Sequence, residues 1–159
     1  MAKSAAHASK VNVFQTANAL LRPPRGLSCY HEHMNDDFKQ QAEAFGARGT
    51  LLGLDLGDKT IGVASCDPDR MVATPVTTIR RTKFTPDAER LAALAAERKA
   101  VGLILGLPLN MDGTEGPRVQ STRAFARNLA RILPLPVAFW DERLSTAAME
   151  RELIALDAS

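Results

Sequence analysis

Leucines recur at every second position in residues 51–56, the most regular stretch of the chain. Such alternation is typical of a β-strand that buries one face, and it leaves Gly53 and Asp55 on the other face. The Gly-Asp pair that follows has turn chemistry and predicts a tight hairpin. Asp55 is therefore expected on a central strand, on the side away from the leucines.

Two more strands are predicted after this hairpin, at residues 60–66 and 73–79. An Asp-Pro-Asp turn separates them, so the domain is expected to open with three antiparallel strands. Residues 101–105 form a continuous apolar run that ends at Gly106, which indicates a strand buried on both faces in a parallel region. A short strand is expected at residues 137–140.

Helical patterns separate the later strands. Thr85 and Pro86 predict a helix start, as a capping hydroxyl followed by proline at the first helical position, and this helix is expected to end near Lys99. A second helix is predicted at residues 117–133, and Ser145 is expected to cap a last one. The order βββαβαβα predicts the α/β class, with a mixed sheet flanked by helices.

Length and composition indicate one ordinary domain. The chain has 159 residues, a formal net charge of +2 and two cysteines outside any CxxC spacing, so neither a disulfide framework nor a thiolate zinc site is indicated. Residues 1–49 show no sustained period and are expected to be an irregular or disordered extension before a domain at residues 50–159. No apolar run approaches a membrane span, so a cytoplasmic protein is expected, and no oligomeric state is indicated.

Asp55 is the most informative candidate for chemistry. A carboxylate that faces away from the apolar side of a central strand loses hydration at a substantial cost unless a cation meets it. A divalent metal ion suits this position, because Mg²⁺ prefers one or two carboxylates together with water and phosphate oxygens. The alternatives are a salt bridge to Lys59 across the hairpin and an exposed strand end.

An acidic pair, Asp141 and Glu142, directly follows the strand predicted at residues 137–140. Ligands of open α/β sheets collect at the carboxyl ends of strands, so a carboxylate here approaches Asp55 if the two strands lie side by side. Shared carboxylates of this kind can hold two metal ions that clamp the oxygens of a phosphodiester. Alternatively, the pair is a solvated helix entry favoured by the helix dipole.

Basic residues are candidates for phosphate contact. Arg118 begins the second helix after a glycine-rich loop, a type of loop that either aims backbone N–H groups at anions or is merely a turn. The other basic positions are the helical stripe Arg123, Arg127 and Arg131 and the cluster Arg80, Arg81 and Lys83. Each set can follow a nucleic-acid backbone or form an ordinary solvated face. Because aromatic residues make up only 5% of the chain, recognition by shape and phosphate is expected rather than base stacking.

Three sequence blocks occur in a characteristic order. They are GLDLG at 53–57 with KTIGVA at 59–64, GLPLNMDGTEG at 106–116, and DERLST at 141–146. Together they resemble the YqgF family, also called RuvX or Holliday-junction-resolvase-like, over nearly all of residues 51–156. The resemblance implies a ribonuclease H-like fold, a cytoplasmic location, and endonuclease activity with Mg²⁺ or Mn²⁺. The implied partner is pre-16S ribosomal RNA, matured at its 5′ end, or a small ribosomal subunit precursor.

The resemblance also implies roles for single residues. Asp55 matches the first-strand metal ligand, and Glu142, with Asp141 beside it, matches the acidic position after the later strand. The family positions that line the same cleft are matched here by Lys59, Asn110 and Arg143. With the basic residues Arg118, Arg123 and Arg127, these are expected to bind the substrate.

One departure from the family pattern bears on activity. Family members that resemble this chain continue into a segment with an Asp followed by paired alanines, which supplies a further metal ligand, whereas this chain stops at Ser159. We therefore expect an incomplete catalytic set and an apolar surface that the absent segment would cover. A non-catalytic RNA-binding or ribosome-assembly module is the main alternative. A Holliday-junction resolvase and an actin- or sugar-kinase-like ATPase are further alternatives, although the ATPases close two such domains over a nucleotide.

Overall fold

The computed structural model describes residues 36–110 and 112–141. In chain order they form helix α1 (Asp36–Glu43), strands β1 (Thr50–Leu56), β2 (Thr60–Cys66) and β3 (Ala73–Arg80), helix α2 (Phe84–Arg98), strand β4 (Ala100–Leu107), helix α3 (Pro117–Leu129) and strand β5 (Val137–Asp141). Within these ranges the strands make one five-stranded sheet in the order β3-β2-β1-β4-β5. Strands β1 to β3 are antiparallel, while β4 is parallel to β1 and β5 to β4. The predicted α/β class is confirmed, and so is the mixed sheet of three antiparallel strands followed by parallel ones.

The sheet separates two apolar layers, because successive side chains of a strand point to opposite faces. Leu52 and Leu54 belong to the layer that α2 and α3 cover, which we call the α2/α3 face. Leu51 belongs to the layer that α1 covers, which we call the α1 face. Asp55 follows the phase of Leu51 and therefore lies on the α1 face, away from Leu52, Leu54 and Leu56 as predicted.

Helix α1 belongs to the packed unit. Phe38 is 2% exposed, and its ring centroid lies 5.1 Å from that of Trp140, with the rings nearly perpendicular. The Gln41 side-chain oxygen accepts a hydrogen bond of 2.8 Å from the backbone N–H of Phe139, which satisfies a donor of β5. The extension expected at residues 1–49 is therefore not irregular throughout, since packed structure is present from residue 36. An eight-residue helix has too few apolar positions to show a clear period.

Arg70 ties the end of α1 to the turn between β2 and β3. Its side chain donates hydrogen bonds of 3.0, 2.9 and 3.0 Å to the backbone carbonyls of Gly49, Gly46 and Phe45. Arg70 is only 6% exposed and has a left-handed φ of 59°, so its position is held by the surrounding structure. Helix α1 is thus fixed at its carboxyl end by a buried guanidinium.

The helix boundaries differ from the predictions in two places. Helix α2 begins at Phe84, and the predicted cap by Thr85 is wrong. Instead the buried Asp87 carboxylate accepts hydrogen bonds from the backbone N–H and the hydroxyl of Thr82, at 3.1 and 3.2 Å. Helix α3 ends at Leu129, one turn earlier than predicted. The helix predicted from Ser145 lies outside the described residues, and among those that are described no helix is long and apolar enough to cross a bilayer.

Candidate functional site

Asp55 lies near the carboxyl end of the central strand β1, half-buried on the α1 face. Its cross-strand partner in β2 is Gly62. On the other side β4 places Gly106 next to it, one residue beyond the pair formed by Leu54 and Leu105. Because both neighbours are glycines, neither adjacent strand places a side chain beside the Asp55 carboxylate at its own level.

The Asp55 carboxylate makes no hydrogen bond and no ion pair within residues 36–110 and 112–141. Lys59 is exposed on the hairpin and is likewise not ion-paired in these ranges, so the alternative of a salt bridge between the two residues is not formed. A half-buried carboxylate without a partner among the described residues is suited to a cation.

The parallel strands bring their carboxyl ends to one edge of the sheet. Gly106 of β4 pairs with Trp140 of β5, so Trp140 lies level with Asp55 on the α1 face, about 9.6 Å away at two strand spacings of about 4.8 Å. Asp141 pairs with Leu107, and strand alternation puts it on the α2/α3 face. The sheet therefore brings Asp55 and Asp141 to the same edge but not to the same face. Glu142 and Arg143 lie outside the described residues.

The described residues offer one candidate ligand for a metal ion. No group of three or more His, Cys, Asp or Glu side chains within them is placed to hold an ion together. Asp55 by itself fits as one ligand, since it offers oxygen donors that no side chain of residues 36–110 and 112–141 engages, and Mg²⁺ takes only one or two carboxylates.

Asn110 shapes the loop between β4 and α3. Its side-chain amide donates to the Thr114 hydroxyl at 3.0 Å, its backbone N–H donates to the Thr114 carbonyl at 3.0 Å, and its carbonyl accepts from Gly113 at 2.8 Å. Gly113 has a φ of 85°, which glycine adopts without strain. The loop is thereby held at the same edge as Asp55, with Asn110 exposed on it.

The arginines of α3 lie on the other side of the sheet from Asp55, because α3 packs on the α2/α3 face. Arg123 is held by Glu115, with 2.6 Å between Nη2 and Oε1, and its guanidinium carbon lies 5.1 Å from the Phe139 ring centroid. Arg118 and Arg127 are exposed and form no ion pair within the described ranges. The structure thus places Arg118 at the site edge, at the start of α3, and Arg127 further along the helix.

A cavity of about 50 Å³ at this edge was not anticipated from the sequence. It lies between the β1–β2 hairpin and α3, and Arg81 and Arg118 both line it. The sequence places these arginines in separate basic clusters, and only the packing of α3 against the hairpin brings them together.

Known proteins match most of the chain. Residues 49–159 match the family described as RuvX, Holliday junction resolvase. A Rhodopseudomonas palustris (strain TIE-1) protein named "Putative pre-16S rRNA nuclease" is 73% identical over 112 residues, which cover 70% of each chain. A protein of the same name from Bradyrhizobium sp. (strain BTAi1) is 64% identical over 120 residues, 76% of this chain and 74% of the relative. Among solved structures, T. thermophilus RuvC in complex with a Holliday junction substrate is 9% identical, with a TM-score of 0.44 over 58% of this chain and 64% of that chain.

The family match covers well over half of the chain, and the relatives match it at high identity over the same share. This confirms the resemblance that the three sequence blocks indicate. The chain belongs to the RuvX family of nucleases.

Proposed function

We propose that this protein is a cytoplasmic, metal-dependent endonuclease of structured RNA that matures the 5′ end of pre-16S rRNA. The observation that carries the proposal is the Asp55 carboxylate, which is half-buried on the central strand, is flanked by glycine positions and is unsatisfied within the described residues. The names of the relatives support the choice of pre-16S rRNA, or a small ribosomal subunit precursor, as the partner.

We propose that Asp55 and Glu142 hold Mg²⁺ or Mn²⁺. Glu142 is preferred to Asp141 as the second ligand because strand alternation assigns Asp141 to the opposite face of the sheet. When bound, such an ion neutralises charge on a phosphodiester and lowers the pKa of a bound water. Asp141 is proposed to act at the rim of the same edge, as part of the acidic end of β5.

Substrate contacts are proposed for residues around this edge. Lys59 on the hairpin and Asn110 on the loop after β4 are both exposed there. Arg118 begins α3 at the same edge, and Arg143 belongs to the same sequence block as Glu142. Arg127 and Arg123, further along α3, are proposed to contact the phosphate backbone of the RNA. Arg123 contributes less, because Glu115 already neutralises part of its charge.

The test is cleavage of a 5′-extended 16S precursor by the full chain in Mn²⁺ or Mg²⁺. Asp55→Asn removes the charge at nearly constant volume and is expected to abolish cleavage and to weaken Mn²⁺ binding measured by calorimetry, without a change in the unfolding midpoint. Asp69→Asn is the matched control, since Asp69 lies in the turn after β2, at the opposite edge of the sheet. Equal cleavage by the Asp55 variant would remove this residue from the mechanism.

A non-catalytic RNA-binding module is the second candidate. It is favoured by the finding that the described residues assemble no group of three metal-binding side chains. Binding of precursor RNA by the wild-type chain without any metal-dependent cleavage would support this candidate. Cleavage of a four-way DNA junction in preference to RNA would instead support resolvase activity, to which the family description refers. Tight binding of ATP would indicate the ATPase alternative.

A further inference from the structure

The cavity between the β1–β2 hairpin and α3 is lined by groups that the proposed metal site does not use. Its polar lining comes from Asp58 of the hairpin, Arg81 just after β3, and Arg118, Ser121 and Thr122 of α3. It lies on the α2/α3 side of the sheet edge, whereas Asp55 lies on the α1 face. Only Leu56 and Gly57 separate Asp55 from Asp58 along the chain, so the cavity and the carboxylate flank the same hairpin.

Arg81 is fixed in the cavity wall. Its Nη1 donates a hydrogen bond of 2.8 Å to the carbonyl of Gly57, and its guanidinium carbon lies 5.9 Å from the ring centroid of Phe125. Phe125 is held in turn by an edge-on contact with Phe84 at 5.5 Å. One hydrogen bond uses a single donor of the five that a guanidinium carries, so most of the Arg81 donors remain available. Arg81 has no ion pair within the described ranges.

Arg118 faces the same cavity from the first turn of α3. The cap residue Gly116 provides no side-chain hydrogen bond, and no acidic residue lies in the first turn. Glu115, directly before the cap, is bound to Arg123, so no carboxylate within the first turn itself neutralises the partial positive charge of this helix end. Thr122, one turn on, donates its hydroxyl to the Arg118 carbonyl at 3.0 Å, and Ser121 adds an exposed hydroxyl.

The charges in the cavity favour an anion. Among the described residues two guanidinium groups line the cavity with a single carboxylate, Asp58, and neither arginine is within ion-pair distance of it. Planar guanidinium groups bind the oxygens of phosphates and carboxylates through paired N–H donors, which an apolar ligand does not offer acceptors for.

We propose that this cavity is a phosphate-binding subsite, in which Arg81 and Arg118 hold one phosphate of the RNA backbone on the side of the hairpin away from Asp55. The identity of the ligand as RNA rests on the proposed function. A strand that crosses the hairpin would place one phosphate at Asp55 and hold a neighbouring part of the backbone in the cavity. The subsite thus fixes which phosphate of the RNA lies at Asp55.

The experiment measures binding of a structured double-stranded RNA by fluorescence anisotropy in EDTA, over a series of KCl concentrations. Each phosphate contact contributes a slope of about 0.9 to the fall of log K with log salt on duplex DNA, and a contribution of that order is expected here. Arg118→Ala and Arg81→Ala are each expected to weaken binding and to lower this slope. Arg90→Ala, an exposed arginine of α2, is the matched control and is expected to change neither.

Asp58→Asn is expected to change the RNA affinity in the direction opposite to the arginine variants. Removal of the one carboxylate from the cavity is expected to tighten RNA binding, which no purely structural role of Asp58 predicts. Because Arg81 also supports the hairpin, Arg81→Lys is included to keep the charge, and it is expected to retain more affinity than Arg81→Ala. Inorganic phosphate, titrated against the chain by NMR, is expected to shift the amide signals of Ser121 and Thr122. Losses no larger than that of Arg90→Ala, or weaker binding by Asp58→Asn, would overturn the subsite.

Failure of the subsite and failure of the nuclease proposal give different results. Asp55→Asn in EDTA is expected to bind the RNA at least as well as the wild type, since it removes only a negative charge. If cleavage is absent while the cavity variants behave as expected, the subsite stands and the nuclease proposal falls. If cleavage depends on Asp55 while the cavity variants match the control, the subsite falls.

Discussion

The ring of Phe38 stands edge-on against Trp140, with 5.1 Å between their centroids. This contact joins α1, which precedes the family match at residues 49–159, to the last strand described. Trp140 lies level with Asp55 on the same face of the sheet, with Gly106 of β4 between them. The face that carries the candidate carboxylate is therefore covered by a helix from outside the matched region, and its apolar residues are buried there.

Phe38→Ala tests how much this contact contributes to the stability of the fold. Loss of a buried phenylalanine is expected to lower the free energy of unfolding by about 3 kcal/mol, the lower end of the usual range because a short helix can relax. Trp140 is the only tryptophan of the chain, so its fluorescence is expected to shift to the red. Gln40→Ala, on the exposed side of α1, is the control and should leave the emission unchanged. An unshifted spectrum for Phe38→Ala would mean that α1 does not shield Trp140 in solution.

Arg70 and Arg48 are expected to differ sharply when each is replaced by alanine. Arg70 is buried and loses three hydrogen bonds to carbonyls, for an expected destabilisation of about 3–5 kcal/mol in urea denaturation. Arg48 forms an ion pair of 2.7 Å with Asp69, but their side chains are 72% and 50% exposed. Its loss is expected to cost less than about 1 kcal/mol. Similar losses of stability in the two variants would contradict a role of the buried Arg70 side chain in holding α1 to the turn between β2 and β3.

Gly102→Ala tests the close approach of Phe45, two residues beyond α1, to β4. A Cβ at this position would lie 2.2 Å from a ring carbon of Phe45, which is itself buried. The ring must move, so a loss of roughly 1–3 kcal/mol is expected. In a double-mutant cycle with Phe45→Ala, the two losses are expected to be less than additive, because the smaller side chain removes the clash. Strict additivity would show that the ring does not occupy this place.

Asp67 is expected to make the stability of the fold depend on pH. Hydrogen bonds from the backbone N–H of Val72, and then of Met71, hold the pKa of Asp67 below its ordinary value. Because the folded-state pKa is the lower one, the stabilisation is fully present above the unfolded pKa of about 3.9 and is lost as pH falls through the folded pKa. Asp67→Asn is expected to lower the urea midpoint near neutrality, and this difference is expected to shrink below about pH 4. A constant difference across the titration would rule out the charge as its cause, and Glu89→Gln on α2 is the control.

The sheet could be predicted because its signals are local. The alternating leucines of β1 and the turn after Leu56 specify a hairpin without reference to the rest of the chain. Helix α1 could not be predicted in this way, since its few apolar residues gain meaning only against Trp140 and its neighbours. Thr85 does not begin α2 for a related reason: the carboxylate that binds the chain ahead of the helix, Asp87, lies inside the helix rather than before it.

In the candidate site, too, some features could be predicted from local sequence and others depend on how the elements pack. The position of Asp55 on the face away from the leucines followed from strand period alone. Its separation from Asp141 depends on the register of β5 against β4, which the sequence does not specify. The meeting of Arg81 with Arg118 depends on how α3 packs against the hairpin.

Two of the three carbonyls that Arg70 binds lie before the residue at which the family match begins. A fragment that began where the family match begins, at residue 49, would remove the Phe45 and Gly46 carbonyls and leave a buried guanidinium with one of its three acceptors. The same cut would uncover Trp140. The family match therefore begins inside the packed structure, after α1, and a recombinant version of this protein should begin before Asp36.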